Sequence, residues 1–220
     1  MAEPKAGTRT AAAPEARWVD TSASRRATRH ADHRASRRAA IVKAAAAAIE
    51  ELGEAAGPAD FAARAGVPRP HVYRHFGSTD DLTDEVARYA ANALAERVRP
   101  SLSRSGTPPL VVRGIVAEAV AWADENPNLY RFMAARQQSW SLNRDRFGRH
   151  SILAEISRAT TVYQRERAGN QVPDGVLAGL VGMVDASITW WLDHCDEHSD
   201  HVVDRLSRQV LLILADQARR

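Results

Sequence analysis

The chain has 220 residues, 45% of them hydrophobic and 26% charged, with a formal net charge of +3, which is enough for one large core or two small domains. No apolar run approaches the roughly 18 residues of a membrane span and no secretory h-region opens the chain, so the sequence predicts a protein that does not cross a bilayer. The single cysteine, Cys195, has no partner for an internal disulfide, in keeping with a reducing cytoplasm.

The charge is unevenly spread. Residues 1–38 carry nine basic side chains against four acids, a net +5, which leaves −2 for the remainder. A basic arm on a slightly acidic body suits an anionic polymer near the N-terminus, and a solvated tail has the same composition. Residues 1–34, rich in Ala, Thr, Ser and Arg without apolar periodicity, are predicted to be a disordered arm.

From there on helical periodicity dominates and no alternating strand is visible, so the sequence predicts an all-α fold of about nine helices. The first runs over 36–52, with Ile41, Ala45, Ala48, Ile49 and Leu52 on one face and Gly53 as its stop. The second, over 58–65, carries Phe61, Ala62 and Ala65 and ends at Gly66. The third is marked by Pro68 and Pro70, which are tolerated in a first turn where the backbone N–H groups have no intrahelical partner. Ser78 is the expected N-cap of the fourth, with Asp80 and Asp81 in its first turn, and Pro100 with the stretch SLSRSGTPP is expected to close it. Helices over 109–125, 128–139, 151–167, 174–194 and 199–219 complete the prediction, the last five forming a larger bundle.

The segment 60–76 has the layout of a helix-turn-helix: a helix, a Gly-centred turn, and a second helix with a basic outer side. Val67, Val72 and Phe76 would pack inward with Phe61, Ala62 and Ala65. Arg69 and His71 would stand at the N-terminus of the second helix, where side chains reach base edges. An arginine there can bond guanine in bidentate fashion, and Tyr73 and His75 can hold phosphates.

The stretch IVKAAAAAIEELG…FAARAGVPRPHVYRHFGSTDDL closely resembles the N-terminal domain of the TetR family of transcriptional repressors. The matching residues are Ile41, Ala45, Gly53, Ala62, Ala65, Gly66, Val67, Tyr73, His75, Phe76, Ser78, Asp81 and Leu82. The resemblance implies a three-helix DNA-binding domain over 35–82 and an effector-binding and dimerisation domain over 83–220. It implies double-stranded operator DNA, a second copy of the chain and a small apolar or amphipathic effector as partners, with no catalysis and no cofactor. Arg37, Arg38, Arg69, His71, Tyr73, Arg74, His75 and Thr79 are the expected DNA-binding residues. The chain departs from the pattern at Pro68, where the family places a capping hydroxyl, at Thr79, where it places a lysine, and in the segment EAAGPAD, which is Gly/Pro-broken.

Aromatic and sulfur side chains on the later helices, Trp122, Tyr130, Phe132, Met133, Trp140, Phe147, Tyr163 and Trp190, are the candidates for lining an effector pocket. Gly175, Gly179, Gly182 and Ala186 leave one side of the penultimate helix nearly bare. With Met183, and with Val203, Leu206, Val210, Ile213 and Leu214 at three- and four-residue steps on the last helix, they are the expected dimer interface. The cluster His194, Cys195, His198 and His201 carries the alternative reading, a metal- or thiol-responsive regulator or an enzyme on a helical-bundle scaffold. An expected helix break near Ser199 favours a solvated polar turn instead. No zinc-protease motif, Glu-x-x-His pair, phosphate loop or nucleophile elbow is present.

Overall fold

The fold is described from a computed structural model, which covers residues 21–103, 106–140, 172–194 and 196–217. All regular structure among the described residues is helical. In chain order the helices are α1 Thr21–Leu52, α2 Pro58–Arg64, α3 Arg69–Phe76, α4 Thr79–Ser103, α5 Pro108–Glu125, α6 Pro127–Trp140, α7 Asp174–His194 and α8 Ser199–Gln217, with a 3-10 turn at Gly53–Ala55. The helix expected over 151–167 lies outside the described residues.

The chain divides into two units, Met1–Arg37 and Arg38–Arg220. In the first, α1 already begins at Thr21 rather than at residue 36, so the segment expected to be a disordered arm is helical in its second half. Between residues 21 and 40 nothing stops a helix: there is no Gly or Pro, and Ala and Arg, both strong helix formers, dominate. Residues 29–37 are exposed throughout.

The second unit opens on the Ala-rich half of α1, where Ile41, Val42, Ala45, Ala48 and Ile49 are buried. Gly53, at φ +60°, ends it in the left-handed conformation. α2 follows with Pro58 in its first turn, and the Asp60 carboxylate accepts the Gly57 N–H at 2.9 Å. Phe61, Val72, Phe76, Leu82 and Val86 close the core between α1, α2, α3 and α4, each large apolar side chain contributing about 1.5–3 kcal/mol on burial.

α4 is the longest helix wholly within this unit among the described residues, and it passes through Pro100 to Ser103 instead of stopping there. An interior proline removes one hydrogen bond and crowds the preceding turn. Packing against α5 carries the helix past that defect: Val98 and Ser101 are buried, and the backbone of Gly114 on α5 approaches so closely that an added Cβ would sit 2.8 Å from Ser101 Oγ. The boundary expected between residues 82 and 83 falls inside this continuous helix.

α5 packs on α4 and α8, and α6 on α4 and α7. The expectation that no apolar run has membrane-spanning length is corrected by α7. Its stretch Gly175–His194 is long and apolar enough by length and composition, with a mean hydropathy of 1.4. Interspersed Gly, Ala and Ser disguise that run in the sequence. Here it is one wall of a helical bundle, packed on α5, α6 and α8.

Candidate functional site

The turn between α2 and α3 is built by Gly66, at φ +63°, and closed by the Val67 N–H donating to the Ala62 carbonyl at 3.1 Å. Pro68 is the N-cap of α3, with ψ 140°. It lacks a capping hydroxyl, but its carbonyl accepts the His71 N–H at 2.8 Å, so the helix begins at Arg69 and holds Pro70 in its first turn. Gly77, at φ +74°, ends α3. Ser78 caps α4 as expected: its Oγ accepts the Asp81 N–H at 3.0 Å and donates to the Asp81 carboxylate at 2.7 Å.

These fixed ends orient α3. Val72 and Phe76 are buried, Arg69 and Arg74 exposed, and His71, Tyr73 and His75 half-buried between them. Arg69 Nη2 donates to the Tyr73 hydroxyl at 3.3 Å, its guanidinium lying 5.9 Å from the centre of the Tyr73 ring. Hydrogen bonds from Arg69 first, and Thr79 second, hold the Tyr73 phenol below its ordinary pKa. A more acidic phenol is a better donor to a phosphate oxygen. Thr79, the first residue of α4, is thereby joined to the face that α3 presents.

Arg38, expected at the DNA, is engaged within the chain. Its guanidinium forms an ion pair with Glu85 of α4, donates to the carbonyl of His75, and lies 4.1 Å from the centre of the Phe76 ring. Arg38 is thus a strut between α1, α3 and α4, and its charge is already matched inside the protein. Arg64 is likewise paired, with Glu51, and donates to the Ala47 carbonyl at 3.2 Å. Arg37 belongs to the first unit and is exposed.

None of the described residues expected to line the effector pocket borders the cavity that the helices enclose. Trp122, Tyr130 and Met133 are core; Trp122 and Tyr130 pack against each other with ring centres 6.1 Å apart. Phe132 is partly buried under the guanidinium of Arg136, 5.6 Å from its ring centre. Trp190 is 61% exposed and stacks on His194 at 3.8 Å. Trp140 is the last residue of α6, while its side chain, Phe147 and Tyr163 lie outside the described residues. Large aromatic side chains fill space, and the open space is elsewhere.

That space is a cavity of about 180 Å³ between α4, α5, α7 and α8. Leu94 and Val98, Val112 and Val116, Leu180, and Leu214 line its four sides, and Asp185 of α7 joins them. The Tyr130 hydroxyl donates to Asp185 Oδ1 at 2.8 Å. Burial, opposed in part by that hydrogen bond, lifts the Asp185 carboxyl from the ordinary 3.8 to about 6. The Tyr130 phenol is pushed well up, by burial first and then by the neighbouring carboxylate. Sequence reasoning passed over Asp185, although a lone acid inside VLAGLVGMVDASITWWL was a signal.

The expected dimer stripe on α8 also faces inward. Val203, Leu206 and Val210 are buried in the chain's own core, and Val210 and Leu214 line the cavity. Among the described residues, the large apolar side chains of α8 that reach the surface are Leu212, 66% exposed, and Ile213. On α7 the expectation fits better: Gly179, Gly182 and Ala186 are exposed, with Met183 partly buried, and a Cβ on Gly175, Gly179 or Gly182 would meet nothing.

The histidine cluster is split by the end of α7 at His194 and the start of α8 at Ser199. His194 Nδ1 bonds the Trp190 carbonyl at 2.8 Å, and His198 Nδ1 accepts the Asp200 N–H at 3.4 Å. Cys195 lies outside the described residues, among which no group of three or more potential ligands is placed to hold a metal ion.

Residues 41–86, which contain all of α2 and α3 and their supports, match the family model described as bacterial regulatory proteins, tetR family. Over that segment the chain is similar to the tetR family of bacterial regulatory proteins. Solved structures extend the likeness in fold to most of the chain. A putative tetR family transcription regulator from Shewanella sp. PV-4 is 19% identical, with a TM-score of 0.62 over 79% of this chain and 95% of its own. RolR in complex with its ligand resorcinol is 18% identical, with a TM-score of 0.62 over 82% of this chain and 90% of its own. The fatty acid degradation regulator FadR from Bacillus halodurans is 15% identical, with a TM-score of 0.61 over 79% and 94%. No curated protein matches the chain. TetR-family regulators are not enzymes.

Proposed function

We propose that this TetR-family regulator is a homodimeric cytoplasmic repressor. It holds a palindromic operator through α3 of each copy and releases it when a small apolar or amphipathic effector fills the cavity between α4, α5, α7 and α8. The observation that carries the reading is the orientation of α3: Val72 and Phe76 anchor it, while Arg69, Tyr73 and Arg74 face outward from a helix fixed at both ends. Residues 35–82 supply this contact and 83–220 the effector and dimer functions. The helical basic segment ahead of them adds charge that DNA attracts.

Self-association is supported by α7, the most apolar of the described helices, of which only 28% of the stretch Gly175–His194 is buried within the chain. Its bare glycine face admits the close approach of another backbone, and two recognition helices about one DNA turn apart are what make a short helix specific. The effector reading draws support from the relative described with resorcinol, a small ring compound.

Fluorescence anisotropy on genomic fragments at low salt tests the first part, with specific binding expected to one palindromic class. Sedimentation tests the second, with a dimer expected at micromolar concentration. Absence of binding to every fragment would overturn the repressor reading, and a monomer would overturn the assembly.

A further inference from the structure

We infer that the cavity takes a small, largely apolar amine whose protonated nitrogen is held by the carboxylate of Asp185. This rests on the reading of the cavity as the effector site and adds the chemical class of its occupant. Every other described lining residue is aliphatic or proline, so Asp185 alone among them offers a polar contact. Tyr130 engages Oδ1 from the α6 side, while a carboxylate can accept about four hydrogen bonds. The remaining capacity belongs to a group that borders the cavity.

The charge decides which ligand is favoured. With its carboxyl at about 6, Asp185 is ionised at neutral pH and its charge sits in an aliphatic wall with one described hydrogen-bond partner. A cation entering the cavity pairs with that charge against an apolar wall, where the attraction is screened less than in bulk water. A carboxylate ligand meets like charge and loses its own hydration, and a neutral ligand leaves the aspartate as it was. Size sets the second limit. About 180 Å³ slightly exceeds the roughly 150 Å³ of an engineered apolar cavity that accepts benzene, so one ring or a short branched chain fits beside the ammonium group.

The test is calorimetric titration of the full chain at pH 7.5 with three probes of one shape, 2-phenylethylamine, 2-phenylethanol and phenylacetate. The amine is expected to bind at least about tenfold more tightly than the alcohol, with phenylacetate weakest. In Asp185→Asn the amine should fall to the level of the alcohol. In Tyr130→Phe, which frees the carboxylate of its internal donor, the amine should bind more tightly than to wild type. An amine that binds no better than the alcohol, or a preference that survives Asp185→Asn, overturns the inference. Operator affinity measured with the same probes separates the two readings. An Asp185-dependent amine that leaves operator affinity unchanged sustains the binding site and overturns its role as an effector site. Operator release by the alcohol or the acid but not by the amine does the reverse.

Discussion

The carboxylate of Glu50, near the end of α1, accepts the backbone N–H of Leu129 in the first turn of α6 at 2.8 Å. The Asn128 side chain returns a bond to the Glu50 carbonyl at 2.9 Å. A negative charge supplied by one helix thus caps the positive end of another. Near the N-terminus of α4, Arg136 of α6 bonds the buried Asp84 at 2.5 Å. Arg131 and Tyr130 extend the same helix to Asp193 and Asp185 of α7. Glu50→Ala should therefore destabilise the chain by about 1–2 kcal/mol. Glu50→Gln, which keeps an acceptor without the charge, should cost less. Denaturant melts of the pair would check the order.

Arg38 and Arg69 should separate stability from DNA contact. Arg38→Ala removes the ion pair to Glu85, the bond to the His75 carbonyl and the cover over Phe76. It should lower stability by about 1–3 kcal/mol and leave the salt slope of DNA binding unchanged. Arg69→Ala should melt like wild type yet relax base preference, and Arg74→Ala should reduce the salt slope by about one. Anisotropy titrations across salt, paired with thermal melts, would show a reversed pattern if Arg38 were the phosphate ligand.

Asp185 makes stability fall with rising pH. Its folded value of about 6 lies above the ordinary 3.8, so the native state binds the extra proton between those values and is favoured there over the unfolded chain. The protonated form carries no penalty below about pH 4. The penalty grows as pH rises and is complete somewhat above pH 6. Asp185→Asn should therefore match wild type near pH 4 and exceed it by roughly 1–3 kcal/mol at pH 7.5. Urea melts at the two pH values give the difference, and equal gains at both would assign the effect to something other than ionisation.

On α7 and α8, two substitutions should part company. Ala186→Glu places a charge on the exposed glycine-rich face and should yield folded monomers. Leu206→Glu buries a charge at a fully enclosed position and should unfold the chain outright. Sedimentation and circular dichroism together distinguish the two outcomes.

Gly114→Ala tests the contact that carries α4 past Pro100. The new methyl would stand 2.8 Å from Ser101 Oγ and 3.1 Å from Ser101 Cβ, and the strain should cost about 1–3 kcal/mol. Gly114→Ala combined with Ser101→Gly should recover most of that loss in thermal melts.

The recognition segment was legible because its ends are written in residues with few alternatives: Gly66 and Gly77 at positive φ, prolines in a first turn, and Ser78 as a cap. The true start of α1 was not, since Ala and Arg continue a helix without announcing whether anything packs on it. The stripe Val203, Leu206, Val210 has one period whether it meets its own chain or a copy, so sequence alone does not assign its partner. The cavity escaped notice for the opposite reason to the one expected. Bulky rings such as Trp122 and Tyr130 plug the interior, and Val and Leu, with less reach, leave the void.

In the proposed release of the operator, α4, which runs unbroken from the supports of α3 to the cavity, would act as a rigid lever. Leu82 and Val86 grip the support of α3, while Leu94, Val98 and Leu102 form a cavity wall. The axial distance from Leu82 to Val98 is about 24 Å at 1.5 Å per residue. A pivot of about 5° at the cavity end therefore swings the far end by about 2 Å, comparable to the length of a hydrogen bond. An occupant that displaces this wall by a fraction of a methyl group would be felt at the recognition helix as a misfit to the groove.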